Sequence, residues 1–129
     1  ITADMLVNLG RQYELSQKNV HPAFTAINSA RNYMLGHIEE KITIKQLAEM
    51  SNYSESRFCI LYKRFYDSSP IEDLLSARIE KAVSLLGYNH MSVTETAELC
   101  GFSSINYFIN VFSKSVGETP LRFRKKSKE

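Results

Sequence analysis

A segment in the middle of this sequence returns near its end. Leu47-Ala48-Glu49-Met50-Ser51-Asn52-Tyr53-Ser54 aligns with Thr96-Ala97-Glu98-Leu99-Cys100-Gly101-Phe102-Ser103, forty-nine residues further on. The likeness begins upstream, at Thr43-Ile44-Lys45-Gln46 and Ser92-Val93-Thr94-Glu95. Each is a capping box, in which a hydroxyl accepts from the N3 amide and the N3 side chain reaches back. With one extra residue in the second copy, the repeat continues into Tyr62…Asp67-Ser68-Ser69-Pro70 against Phe112…Gly117-Glu118-Thr119-Pro120. Whatever one copy folds into, the other must fold into as well.

Two mismatches inside the repeat say what that fold is. Copy two has Gly101 and Gly117 where copy one has Asn52 and Asp67. Glycine enters the left-handed region freely, and Asn and Asp tolerate it next best. The first position suits a tight turn between two helices, the second a helix C-terminus. Each copy is therefore expected to form helix, turn, helix, over about 44–50 with 54–66 and 93–100 with 103–116. A short helix before the turn and a longer one after it is the helix-turn-helix pattern. Ala48 and Ala97 are small where the helices must cross, and Phe58, Leu61, Phe108 and Val111 point inward at helical spacing.

A linker helix is expected over 69–86, capped by Ser69, with Pro70 at N1, Glu72 at N3 and Gly87 as its stop. Its apolar stripe of Ile71, Leu74, Leu75, Ile79, Ala82, Val83 and Leu86 is long enough to pack on both flanking modules. Arg78 interrupts the stripe, either pairing with a carboxylate or a helix C-terminus, or touching a phosphate. Upstream, a helix over 22–38 opens on Pro22 and buries Phe24, Ile27, Met34, Leu35 and Ile38. Before it, residues 2–15 carry Met5, Leu6, Leu9 and Tyr13 at helical spacing and lead into a linker.

The division expected is thus a trailing helix and linker of an upstream domain over 1–21, then a bipartite domain over 22–129. Within it, 22–68 is the first module, 69–87 the linker helix and 88–126 the second module. The start at Ile1 fits a piece of a longer protein. The fold class expected is all-α, two homeodomain-like three-helix units joined by a long helix. Only 5 Gly and 3 Pro occur among 129 residues, too few for a fold with many tight turns. No apolar run reaches the roughly 18 residues of a membrane span.

Enzyme chemistry finds no support. There is no nucleophile elbow, Gly-rich phosphate loop or HExxH motif. His21, His37 and His90 lack ligand spacing, and no metal or cofactor is expected. Cys59 and Cys100 lack CxxC spacing and sit among apolar residues, as buried thiols do in a reducing cytosol. The net charge is +2, unevenly spread. The last ten residues hold Arg122, Arg124, Lys125, Lys126 and Lys128 against Glu129, a local +4 that leaves residues 1–119 at −2. Such a tail is either a frayed, solvated terminus or a basic arm beside nucleic acid.

These residues resemble the C-terminal DNA-binding domain of AraC/XylS-type transcription regulators. The resemblance is carried by Ala97-Glu98-Leu99-Cys100-Gly101-Phe102-Ser103, Tyr107-Phe108, Phe112, Lys114, Gly117, Thr119-Pro120 and Phe123-Arg124. In the upstream half, Ala48, Tyr53-Ser54, Tyr62-Lys63, Ser69-Pro70 and Arg78-Ile79-Glu80-Lys81-Ala82 fit, and the match covers about residues 23–125. It implies a bacterial, cytoplasmic regulator that binds double-stranded DNA. The second helix of each module would enter one of two successive major grooves about 34 Å apart. It further implies transcriptional activation, contact with RNA polymerase, and dimerisation through an upstream domain.

Carried over residue by residue, the base-contacting candidates are Ser56, Arg57, Cys59 and Ile60 on the first recognition helix. On the second they are Ile105, Asn106, Ile109 and Asn110. Arg57 matches guanine, and Asn106 or Asn110 adenine, in the donor and acceptor pattern of the groove edge. Phosphate-contacting candidates are Ser54, Lys63, Arg64, Ser103, Ser104, Lys114 and Arg124. Ile60 and Asn110 stand where the family often has Arg, and Asp67 where it has Gly. Exposed Ile60, Ile105 and Ile109 suit thymine methyls or, as the rival function, a module repurposed for protein contact.

Overall fold

The computed structural model describes residues 21–88 and 91–127. The helix expected over 2–15 lies outside them. Among the described residues seven helices follow in order: α1 Phe24–Gly36, α2 Ile44–Ser51, α3 Glu55–Tyr66, α4 Pro70–Tyr88, α5 Val93–Leu99, α6 Ile105–Val116 and α7 Pro120–Ser127. No strand occurs among the described residues, and the all-α expectation holds.

The local signals act at the expected places, except that the box expected at Ser92 and Glu95 forms only its serine half. Thr43 caps α2 in a complete capping box with Gln46. The hydroxyls of Ser54, Ser69, Ser92, Ser104 and Thr119 accept from the backbone N–H three residues on, at the starts of α3, α4, α5, α6 and α7. Left-handed backbone among the described residues falls on Asn52, Asp67, Gly101 and Gly117, the four positions that the repeat singles out. The extra residue of copy two is placed as well. Asn52 and Gly101 are forty-nine apart, but the caps Ser54 and Ser104 are fifty apart. Ser103 is therefore the insertion, sitting in the turn before α6.

Three expectations about helix ends need correction. Pro22 does not open α1. It lies in a turn in which the Ala23 N–H donates to His21 Nδ1 at 3.1 Å, and the helix starts at Phe24. Gly87 does not stop α4, which runs through it to Tyr88 without a left-handed residue there. Leu85 and Leu86 pack into the core beside it and hold this last turn against glycine's cost of about 1 kcal/mol. The basic C-terminal segment is not frayed up to Ser127. It is α7, anchored by the Phe123 ring on Phe112 at 5.7 Å and by Lys126 paired with Glu118 at 2.9 Å.

The chain builds two cores. The first gathers Phe24, Ile27, Met34, Leu47, Phe58, Leu61, Tyr62 and Phe65 from α1, α2 and α3, with Leu74 of α4. The second gathers Ile79, Ala82 and Leu86 of α4 with Ala97, Cys100, Phe102, Phe108 and Phe112. Thus α4 caps the first three-helix unit with its opening turns and serves as first helix of the second. Ile71, expected in its buried stripe, is 45% exposed. Tilted rings add to the burial: the Phe102 and Phe108 centroids lie 5.0 Å apart and those of Phe108 and Phe112 5.6 Å, each pair giving about 0.5–1.5 kcal/mol beyond its area.

A polar network ties α3 to α1 and α4. The buried Tyr62 hydroxyl donates to Asp73 and accepts from Arg31 Nε at 3.2 Å. Ser68 Oγ donates to the other Asp73 oxygen at 2.7 Å. The Tyr62 phenol is pushed well above its usual range, first by burial and then by the Asp73 carboxylate. This stays a structural tyrosine that keeps its proton.

Candidate nucleic-acid interface

The two second helices, α3 and α6, are positioned alike. Each begins at a serine cap, buries a phenylalanine on its inner side (Phe58, Phe108), and ends at a left-handed residue. What remains outward is set by register. Ser56, Arg57 and Ile60 are exposed on α3, Ile60 at 59%. Asn106 and Asn110 are exposed on α6. Arg57 and Asn106 lie in the first turns of their helices.

The other three base-contacting candidates stand differently from the expectation. Cys59 is half-buried and packs on the first core. Burial and the nearby Glu55 carboxylate raise its thiol above the ordinary range, so it stays neutral. Ile105 and Ile109 are half-buried against the second core. They line an apolar groove of about 490 Å³ with Val93, Thr94, Thr119, Pro120 and Leu121. With the caps fifty residues apart, Ile105 matches Glu55 and Ile109 matches Cys59; Ile109 and Cys59 share a half-buried flank, while Ile105 is apolar and half-buried where Glu55 is exposed.

The same register reveals a residue that the sequence reasoning passed over as a site candidate. Tyr107 stands where copy one has Arg57 and is 48% exposed. Its ring lies 6.0 Å from Phe102. Counting the extra residue ahead of α6 rather than within it is the signal that finds Tyr107.

Among the phosphate candidates, Lys63, Arg64 and Lys114 are exposed in the last turns of α3 and α6. Ser54 and Ser104 spend an acceptor lone pair on their caps, at 3.1 and 3.2 Å, and keep a hydroxyl proton to donate. Ser103 is exposed in the turn, and Arg124 is half-buried on α7. Among the described residues no three metal-ligating side chains converge. None of the described helices is long and apolar enough to cross a membrane.

Between the modules lies a cleft of about 390 Å³, lined by Glu39, Lys41, Ile42, Arg78, Glu98, Gly101, Phe102 and Ser103. Arg78 is 9% exposed at its floor. Its Nε donates to the Ile38 carbonyl at 2.7 Å and its Nη2 to the Glu40 carbonyl at 2.9 Å. Of the sequence alternatives, the carbonyls beyond a helix C-terminus are the ones that hold it. The guanidinium also sits 5.8 Å from the centre of the Phe102 ring. Burial lowers its basicity somewhat.

Comparison with known proteins follows the same outline. A family model described as a helix-turn-helix domain matches residues 47–126. An uncharacterized HTH-type transcriptional regulator of Bacillus subtilis, YdeC, is 34% identical over 94 residues, 73% of this chain and 32% of the relative. The chain spans about a third of the length of such curated relatives. The DNA-binding domain of AdpA, a global transcriptional factor solved in complex with a target DNA, superposes with a TM-score of 0.73 at 26% identity. That match covers 78% of this chain and 90% of the other. The C-terminal domain of AraT, a response regulator from Geobacillus stearothermophilus, gives 0.75 at 28% identity, covering 82% and 88%.

Proposed function

The chain belongs to the AraC/XylS family of helix-turn-helix DNA-binding domains, and from that premise we propose that it binds double-stranded DNA sequence-specifically, reading two successive major-groove segments with α3 and α6. The observation that carries this is the duplicated module on one backbone, with α4 shared between both cores. Arg57 and Ile60 serve the first segment, Asn106, Tyr107 and Asn110 the second. Lys63, Arg64 and Lys114 hold the phosphates that set orientation. The relative AdpA, whose DNA-binding domain was solved on a target DNA, supports the partner.

Inserting five base pairs between the two protected segments turns them to opposite faces of the duplex. Tight binding should then be abolished, and unchanged affinity would refute the two-segment reading. We further read the whole protein as a cytoplasmic transcriptional activator that contacts RNA polymerase and dimerises through an upstream domain. Its role is binding, not catalysis.

A second reading, a module turned to protein contact, is favoured by exposed Ile60 and by the apolar groove at Ile105 and Ile109. A salt titration separates the two, because release of condensed counterions from DNA gives a steep negative slope and an apolar protein contact does not.

A further inference from the structure

The two cores are separate, and a single helix passes from one to the other. A long helix curves gently and does not by itself fix the angle between what is packed on its two ends. The crossing point lies between Leu74, in the first core, and Ile79, in the second. Arg78 is the residue there that faces the cleft between the modules. It reaches back to two carbonyls of the loop between α1 and α2, and its guanidinium lies near Phe102 of the second module's turn.

Gly101 completes the junction. A Cβ on it would overlap the Ile38 carbonyl oxygen and stand 2.9 Å from Arg78 Nε and 3.0 Å from the Glu39 α-carbon. The loop carrying those carbonyls is itself braced, with His37 Nδ1 at 2.7 Å from the Tyr33 carbonyl and the Glu40 N–H donating to the His37 carbonyl at 3.0 Å. First-module loop, shared helix and second-module turn thus meet at one planar, forked cation, which fixes direction as well as distance. At 9% exposure it is too enclosed to reach a phosphate.

We propose that Arg78 is a positioning residue that sets the distance and phase between the two recognition helices, and so the half-site spacing the domain accepts. The inference rests on the two-segment reading above and assigns its spacing rule to one side chain and the carbonyls it holds.

The test uses the full chain with Arg78 wild type, Arg78→Met and Arg78→Lys. The probe is a duplex selected by the wild-type chain from a random-sequence library. It is compared with versions carrying one to three inserted base pairs between the protected segments, and with a half-length duplex holding one segment. Wild type should lose roughly tenfold or more on insertion, because the second module then binds out of phase. Arg78→Met should lose roughly tenfold on the selected duplex yet discriminate only about twofold between spacings, since the linked site's effective concentration falls as the modules pivot. Its affinity for the half-length duplex and its salt slope should equal wild type's.

A variant that keeps the wild-type spacing profile overturns the proposal. So does one that weakens the half-length duplex equally and flattens the salt slope by about one unit, the mark of a phosphate contact. Should wild type itself ignore spacing, the two-segment reading fails instead, and a DNA-free measurement decides the role of Arg78. In backbone ¹⁵N relaxation the two modules of Arg78→Met should tumble with separate, shorter correlation times. A single shared time, as in wild type, overturns the proposal. If Arg78→Met does not fold, Arg78→Lys, which keeps the charge but lacks the fork, is held to the same criteria.

Discussion

Asn52 and Gly101 hold the same left-handed backbone at the turns of their modules, with φ of 61° and 91°, and at Gly101 a Cβ would overlap the Ile38 carbonyl oxygen of the other module's loop. Gly117 shares that conformation at φ 94° with open space around it. The two glycines therefore separate conformational strain from crowding. Gly117→Ala should cost about 1–2 kcal/mol, the left-handed penalty alone. Gly101→Ala should cost roughly 2–5 kcal/mol, because overpacking adds to the same penalty. Urea unfolding of both variants checks this, and equal losses would mean that the loop at Ile38 simply moves away.

Asp67 ends α3 in the left-handed region at φ 58°, where copy two has Gly117. Its side chain is exposed. Asp67→Gly should be neutral or stabilising by up to about 1 kcal/mol, relief of strain being partly offset by the freer unfolded chain. Measured destabilisation would show that the carboxylate has a capping or binding task.

Asn106 and Lys114 divide the work of α6. Asn106, exposed in the first turn, can donate to and accept from adenine at once, worth about 1–3 kcal/mol of discrimination. Lys114, in the last turn, offers a point charge. Asn106→Ala should relax preference at one base pair and leave the salt slope nearly intact. Lys114→Ala should weaken all sequences and flatten the slope by about one unit. Binding curves on a matched and a singly substituted duplex at several salt concentrations measure both. Equal weakening on the two duplexes by Asn106→Ala would make it a backbone contact.

Burial pushes the Cys100 thiol from an ordinary 9.0 up to about 11, against the opposing pull of Lys81 and Arg78. Between those values the unfolded chain sheds a proton that the folded chain keeps. Stability must therefore fall as pH rises through that window, and below it the thiol adds no pH dependence. The stability gap between wild type and Cys100→Ala should narrow from about pH 8 to about pH 11. A gap that stays constant in urea unfolding would show that the thiol is not held protonated.

The architecture was legible because repetition doubled every local signal. Thr43 and Ser92 both mark helix starts, and the Asn52/Gly101 and Asp67/Gly117 pairs reveal backbone conformation that one copy alone leaves ambiguous. The interface was legible less far. The second helix was expected from 103, but Ser104 caps it, and that one-residue shift puts Tyr107 rather than Asn106 at the position of Arg57. Gly87 misled because glycine next to a helix end is compatible with stopping it or finishing it. For Arg78 a helix C-terminus was among the expected partners, but which carbonyls it holds stayed hidden for another reason. Its partners are the carbonyls of Ile38 and Glu40, and a main-chain acceptor leaves no trace in the residue type that carries it.

Two cores on one backbone also mean two melting units. Cooperative opening follows packed side chains, and here Leu74 belongs to one set while Ile79, Ala82 and Leu86 belong to the other. Opening of the first module strips only the early turns of α4, and opening of the second strips only the late ones. Amide exchange along this single helix should then fall into two protection classes that change over near Arg78, so that one continuous helix reports on two unfolding events.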